Sequence, residues 1–326
     1  MKRPKITGTG SAVPEKVLTN LDIEKMVDTN DEWITTRTGI KERHIAAEGE
    51  YTSTLGARAA QEALRMAGID AGDIDLIVVA TVTPDFPFPS TACIIQKELQ
   101  ASKAAAFDVS AACSGFLYGL SIVEKYIRAG TVSKAIVIGA ETLSRIVDWT
   151  DRNTCCLFGD GAGAVVLEAV DGDSGILSTH VHSDGSYWDL LYQPACGSRN
   201  PASVLAIDQR LPFICMQGNE IFKLAVRAMG EVATEALAAN GLSTDDVDLF
   251  ISHQANRRII DAIAKRLGLP ETKMFSNLEK YGNTSSASIP LALDQANRSL
   301  RIHDGDVVLF AAFGGGLTWA SAVLRW

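Results

Sequence analysis

At 326 residues, 47% hydrophobic and 21% charged, the chain is long enough for two packed halves or one large α/β unit and too apolar to be extensively disordered. A net charge of −9 argues against a nucleic-acid binder, and no apolar run reaches membrane-spanning length. The six cysteines (93, 113, 155, 156, 196 and 215) form no CxxC pair, which argues against a zinc ribbon or a disulfide framework and fits reduced thiols in a cytoplasmic setting.

The amino terminus runs into a strand-like Ile6-Thr-Gly-Thr-Gly10 without the apolar core of a signal peptide. Gly8-Thr-Gly10 and Gly159-Asp-Gly-Ala-Gly163 lack the third glycine of a dinucleotide fingerprint and read as tight turns. Helical and strand periods alternate throughout, the mark of a layered α/β architecture. A helix over 57–69 precedes a strand over 73–80, and the same order returns at 225–242 and 246–252. The helix over 113–129 and strand over 134–140 have counterparts after Ser285 and at 306–312. This predicts a duplicated domain, 1–173 and 174–326, whose copies pack around a shared core, with the boundary near Asp171-Gly-Asp-Ser-Gly175. Residues from Pro194 to Met216 read as a surface excursion.

Cys113 sits where an apolar strand (106–109) breaks through small residues into an amphipathic helix bearing Phe116, Leu117, Leu120 and Val123. A thiol there lies at the positive end of a helix, which favours the thiolate and makes it a candidate nucleophile. Its own N–H is free to meet a developing oxyanion. The competing reading is a buried cysteine used as a small hydrophobe. Of the five histidines, only His253 ends a strand and opens a helix, the junction at which layered α/β folds gather their sites. His180 and His182 alternate along a strand with no third ligand at metal spacing, and His44 and His303, flanked by charges, read as surface. Tyr281-Gly-Asn-Thr-Ser-Ser-Ala-Ser288 is a polar turn at the repeat position of the Cys113 turn, in which Asn283 either donates an amide N–H or caps a helix. Phe313-Gly-Gly-Gly-Leu-Thr-Trp319 places three glycines after a buried strand, where the backbone turns sharply or approaches something closely, an oxyanion among the possibilities.

Cys113 in Ala-Ala-Cys-Ser-Gly, His253 in His-Gln-Ala-Asn, Asn283 in Gly-Asn-Thr-Ser and the terminal Phe-Gly-Gly-Gly-Leu-Thr-Trp, with Asp31–Ile40 and Phe158–Ala164, together resemble β-ketoacyl-acyl-carrier-protein synthase III over nearly the whole chain. The resemblance implies the thiolase fold, two duplicated halves in five αβαβα layers, as a homodimer that needs no metal or redox cofactor. It implies that Cys113 takes an acyl group from acyl-CoA, acetyl-CoA being the expected primer. Malonyl-acyl carrier protein then loses CO₂ and its enolate attacks the thioester, which starts fatty-acid synthesis. His253 and Asn283 would donate to the enolate oxygen, and the N–H groups of Cys113 and Gly315 would hold the acyl oxygen. Trp33 and Arg152 look like the pair that sandwiches the CoA adenine. Thr29, Arg37, Gly218, Phe222 and Asn256 fall along the CoA and pantetheine tunnel. Phe88 matches a residue that the family reaches across the dimer to close the acyl pocket, and a bulky ring there implies a short primer. Between 194 and 216 this chain is expected to be longer than the typical member.

An acyl carrier protein is acidic, so a basic surface must receive it. Lys223 and Arg227 on one helix, with Arg257, Arg258, Lys265 and Arg266 on the helix after His253, are the expected patch, against the alternative of a solvated helix face. The rival within the fold is a sister enzyme with another starter acyl group or a secondary-metabolite role in quinolone or polyketide synthesis. A cysteine protease would carry its own cysteine signature, and a non-catalytic carrier-protein scaffold would be expected to lose Cys113, His253 or Asn283.

Overall fold

A computed structural model describes residues 2–326. Runs such as Leu76-Ile-Val-Val-Ala80 and Val307-Val-Leu-Phe-Ala-Ala312 are apolar at every position, the pattern of strands covered on both faces, and each lies inside a sheet. The first sheet contains β1 (Arg3–Ala12), β2 (Leu76–Ala80), β3 (Ala105–Val109), β4 (Lys134–Glu141) and β5 (Gly161–Val170), in the order β1-β5-β4-β2-β3. The second contains β6 (Gly175–Ser183), β7 (Leu249–Ser252), β8 (Val307–Gly314) and β9 (Thr318–Arg325), in the order β7-β8-β9-β6. In the first sheet β4, β2 and β3 are parallel while β5 runs against β4 and β1. In the second, β7 and β8 are parallel while β9 runs against β8 and β6. The two sheets therefore repeat one another strand for strand. The counterpart of β3 has shrunk to a single bridge between Phe250 and Met274.

The longer helices are α1 (Asp31–Thr38), α2 (Thr52–Ala67), α3 (Thr91–Leu99), α4 (Gly115–Arg128), α5 (Gly218–Ala239), α6 (Arg257–Leu267) and α7 (Ser288–Arg298). Alternation along the strands assigns them to layers. Leu76 and Val78 pack with α4 and α7, which also receive Ile251, Val308 and Phe310 from the second sheet. Ile77 and Val79 pack under α2 and α3, while Phe250 and Leu309 pack under α5 and α6. The order is αβαβα, as expected of the thiolase fold.

Several local expectations change. The helix at Cys113 starts only at Gly115, because a 3₁₀ turn over Ala112–Ser114 intervenes, with Ala112 at φ +45°; the second copy repeats this at Ser285–Ala287, with Ser285 at φ +49°. The glycines at 8, 10, 161 and 163 lie within strands and not in turns. A Cβ on Gly10 would stand 2.2 Å from Ala59 O, and one on Gly163 would stand 2.5 Å from Leu291 N. Helices α2 and α7 cross β1 and β5 too closely for side chains there. The 194–216 excursion carries a short helix, Val204–Asp208, and is pinched at its base where Leu191–Tyr192 pairs with Cys215–Met216.

Candidate active site

Strand β3 delivers the chain to the Ala112–Ser114 turn, which leaves Cys113 only 7% exposed. The expected thiolate is not the resting form. Burial pushes the Cys113 thiol up to about 12; the Ser285 hydroxyl opposes the rise and the Glu141 carboxyl adds to it. A helix end offers at most about 2 kcal/mol, roughly 1.5 pKa units, and loss of solvation outweighs that. The glycine triplet after β8 has its reason here, since a Cβ on Gly314 would stand 2.6 Å from Cys113 N.

His253 follows β7 directly, and its backbone N–H donates to Ala311 O at 2.8 Å. Its Nδ1 lies 2.7 Å from Oγ of Ser288, the first residue of α7. No other acceptor for that hydroxyl proton occurs among the described residues, so it goes to Nδ1 and the ring carries its own proton on Nε2, while the same oxygen accepts the Gln254 N–H at 3.4 Å. Burial lowers His253 to about 3, which keeps the ring neutral and a donor through Nε2 at ordinary pH.

Asn283 is set by its backbone. Gly282, at φ +62° and ψ −158°, adopts a conformation closed to other residues. Asn283 N–H then donates to Leu157 O at 2.8 Å, and Asn283 O accepts the Gly159 N–H at 3.1 Å. Its Oδ1 accepts the Ser285 N–H at 2.9 Å, which orients the amide and leaves Nδ2 without a protein partner among the described residues. The two readings of Asn283 merge: the oxygen steadies the turn and the nitrogen is spare.

Cys113, His253 and Asn283 line one channel of about 140 Å³ together with Gly218, Phe222 and Asn256. Cys113 also lines a second, larger cavity of about 330 Å³ with Gly315, Leu143, Ile146, Phe158 and Ile214. The sulfur thus stands between a narrow channel and a chamber. Leu191 borders both, and Met216 borders the channel, so the roots of the 194–216 excursion are walls of the site.

Outside the channel, the guanidinium groups of Arg37 and Arg152 lie 5.0 Å and 5.3 Å from the centre of the Trp33 ring. Arg152 is further held by Asp28 O at 2.9 Å. Asn256 caps α6 by accepting the Arg258 N–H and ties it to α1 by donating to Arg37 O at 3.1 Å. The hydroxyl of Thr29 is buried without a partner, an acceptor and donor awaiting one. Phe88 is 85% exposed and lines neither cavity of its own chain.

Of the six basic residues, Lys223 pairs with Glu220, Arg257 with Asp261 and Glu271, and Arg266 with Glu231. Arg227, Arg258 and Lys265 have no carboxylate partner among the described residues, and Arg258 lies over the Phe222 ring at 5.8 Å. His180 and His182 share the Glu235 carboxylate at 3.1 Å and 2.7 Å, a partner their own strand does not reveal; no group of residues able to hold a metal occurs among the described residues. His44 is half-buried and stacks on Tyr281, unlike the surface residue expected. Glu141, Ser285 and Ser288 were missed. The one signal for the first was a lone carboxylate closing the apolar strand β4. No helix among the described residues is long and apolar enough to cross a membrane.

Comparison with known proteins places this geometry in a lineage. The family description 3-oxoacyl-[acyl-carrier-protein (ACP)] synthase III matches residues 107–185, and that of its C-terminal part matches 237–326. A β-ketoacyl-[acyl-carrier-protein] synthase III from Caldanaerobacter subterraneus subsp. tengcongensis is 54% identical over 98% of this chain and 97% of its own. The crystal structure of a 3-oxoacyl-[acyl-carrier-protein] synthase III from Aquifex aeolicus VF5 superposes with a TM-score of 0.93 at 50% identity, covering 99% of this chain and all of that one. The priming β-ketosynthase of the R1128 polyketide pathway also reaches 0.93, at 36% identity, covering 99% of this chain and 96% of that one. The chain belongs to the β-ketoacyl-[acyl-carrier-protein] synthase III family of condensing acyltransferases.

Proposed function

We propose that Cys113 is acylated by an acyl-CoA primer, acetyl-CoA by first expectation, and that the acyl-cysteine then condenses with malonyl-acyl carrier protein to give a 3-oxoacyl-acyl carrier protein. In the first half-reaction the sulfur–acyl bond to CoA breaks as the bond to Cys113 forms, and the thiol proton ends on the departing CoA sulfur. In the second, the bond to CO₂ breaks and its electron pair becomes an enolate, held by His253 Nε2–H and Asn283 Nδ2–H. The enolate carbon attacks the acyl carbonyl, whose oxyanion the N–H groups of Cys113 and Gly315 receive. Collapse expels the Cys113 sulfur, which takes a proton from water. Each donor of this kind is worth about 3–4 kcal/mol in a transition state. The chemistry as written uses no metal or redox cofactor.

One observation carries this reading: both donors have their far ends fixed by protein partners, and their near ends are free on the channel that Cys113 lines. Thr29, Trp33, Arg37, Arg152, Gly218, Phe222 and Asn256 would take the CoA and pantetheine, and the basic face of α5 and α6 the carrier protein. Strand β3 is an edge with exposed Phe86 and Phe88 on the loop before α3, which supports a homodimer in which a second copy extends the sheet. Residues 1–173 and 174–326 would be the duplicated halves, working in the cytoplasm.

Cys113→Ser should take up no acyl mass from acyl-CoA by intact-protein mass spectrometry, while slow decarboxylation of malonyl-carrier protein persists. Loss of both activities with an unchanged circular dichroism spectrum would refute this division of roles. A different starter acyl group is the second reading, favoured by the 330 Å³ chamber, since about 150 Å³ already admits benzene. The mass added to Cys113 from a panel of acyl-CoAs identifies the primer.

A further inference from the structure

The chamber beside Cys113 is not walled by the core alone, because one of its sides is the neck of the 194–216 excursion. Leu191, Tyr192 and Gln193 line it from the first leg of that neck and Ile214 from the second. On the outer side of the same neck lies a groove of about 820 Å³, bordered by Trp188 and by residues 194–200, of which 196–200 are exposed. Tyr192 and Gln193 border both spaces, whereas Cys113 borders the chamber and not the groove. An acyl chain that grew from the sulfur past these two residues would leave the one and enter the other.

Backbone alternation separates the two shared residues. Leu191 points at the site, since a Cβ on Gly315 would stand 3.4 Å from its Cγ. The Tyr192 ring points the other way and meets the Trp188 ring edge-on, with 5.2 Å between centres. Gln193, one residue on, returns to the Leu191 side. Its Nε2 donates to Pro212 O at 2.7 Å, across the neck. On one side of this bond the legs are joined by the pairing of Leu191–Tyr192 with Cys215–Met216, and on the other the Ala195 N–H donates to Leu211 O at 3.0 Å. Between two backbone ties, then, a side chain closes the neck. The excursion is moored to the body separately, by the Ile214 N–H on Ile146 O at 2.9 Å and by the ion pair of Arg210 with Asp148. A change at Gln193 therefore opens the neck without releasing the excursion.

We propose that Gln193 is a specificity-determining residue: bonded to Pro212 O, it closes the acyl chamber from the outer groove and so limits the length of the primer that Cys113 accepts. The proposal rests on the acylation of Cys113 and adds where the acyl chain must stop. Scaled from the ~150 Å³ cavity that holds the six carbons of benzene, 330 Å³ has room for about twelve carbons at most. One methylene too many in an apolar pocket costs about 10- to 200-fold, so the limit should be sharp. With a shorter side chain at 193, surplus methylenes pass between the legs and reach the apolar faces of Tyr192 and Trp188.

The test is acyl mass on Cys113, followed over time by intact-protein mass spectrometry with straight-chain acyl-CoAs of two to sixteen carbons, each below its micelle concentration. Wild-type uptake should fall steeply at or before about twelve carbons. Gln193→Ala should raise the ratio of palmitoyl to butyryl uptake at least ~10-fold. Gln193→Glu, equal in size but with no N–H for Pro212 O, should move the ratio the same way, and it decides if Gln193→Ala does not fold. Arg210→Ala, which frees the excursion at Asp148 and leaves the neck intact, should keep the ratio within ~3-fold of wild type. Wild-type uptake of palmitoyl as fast as butyryl overturns the proposal, and so does an unmoved ratio in folded Gln193→Ala, which would place the limit elsewhere, as at Phe88 of a second copy. An equal rise in Arg210→Ala also overturns it, by assigning the limit to the excursion as a whole. Absence of any acyl mass on wild type would instead refute the acylation of Cys113 itself.

Discussion

Without substrate, the Cys113 thiol should be a slow nucleophile. Its shift from an ordinary 9.0 to about 12 lowers the thiolate fraction roughly 1,000-fold near neutral pH, each pKa unit being a factor of ten. The more basic thiolate is intrinsically more reactive, and a Brønsted slope of about 0.45 returns roughly 20-fold over three units. The net deficit is roughly 50-fold against a free thiol. Iodoacetamide labelling, quenched at intervals from pH 7 to 10.5 and read by peptide mass spectrometry, measures it. The rate at Cys113 should climb about tenfold per pH unit with no plateau near 9, and the exposed Cys93 and Cys196 should label first. The same shift has a stability consequence. The folded state keeps the proton and the unfolded chain loses it near 9.0, so the stabilisation is complete below pH 9 and is lost as pH rises toward 12. Cys155, also raised to about 12 by burial, adds to it, and the melting temperature should fall across that window. Labelling of Cys113 ahead of the exposed thiols, or a rate plateau below pH 8, would refute the reasoning and restore the helix end as the dominant influence.

With His253 lowered to about 3, its Nε2–H donor survives acidification, so malonyl-carrier-protein decarboxylation should show no loss between pH 8 and 5 attributable to this ring; a step near pH 6.5 would contradict the neutral assignment. Insertion of a purine between Trp33 and Arg152 needs faces about 7 Å apart, so the 5.3 Å pair must open; Trp33→Ala should raise KM for acyl-CoA about 5- to 30-fold with kcat retained, and CoA should alter Trp33 fluorescence. Arg227→Glu with Lys265→Glu should raise KM for malonyl-carrier protein about 3- to 10-fold and flatten its salt dependence while sparing acyl-CoA, because neither residue lines the channel; equal effects on both substrates would move the docking face elsewhere. Gly10→Ala should cost about 2–3 kcal/mol in denaturant unfolding, its Cβ meeting Ala59 O at 2.2 Å; a neutral result would mean that α2 can lift from β1.

Much of the fold was readable because strands buried on both faces leave unbroken apolar runs, and two such sets in one order announce a duplication. The residues of the site were readable as motifs, each marked by glycines or small residues that the backbone requires. What the sequence did not carry was the surroundings. The sign of the Cys113 shift depends on how much of the molecule covers the sulfur. Ser288 lies 35 residues from the His253 ring that it orients, and Ser285, though only two residues from Asn283, meets it through a backbone N–H that no motif marks. The salt partner of Lys223 is three residues away and legible; that of Arg266 is on another helix and is not. Strand glycines at 10 and 163 answer to helices crossing above them, which no local pattern reports.

The thiol of Cys113, the imidazole of His253 and the amide of Asn283 carry no formal charge at rest. Helices α4 and α7 both begin there, each contributing about half a positive charge at its first turn. The anion that forms during condensation is thus met by dipoles, with no Lys or Arg among the residues that line the channel. At physiological ionic strength screening extends over about 8 Å of water, which covers the side chains of Arg227 and Lys265 and stops at the channel wall. Added salt should therefore change how often a carrier protein arrives and leave untouched how fast the new carbon–carbon bond forms once it has docked, so that in a cell of shifting salinity the supply of substrate, and not the chemistry, sets the pace.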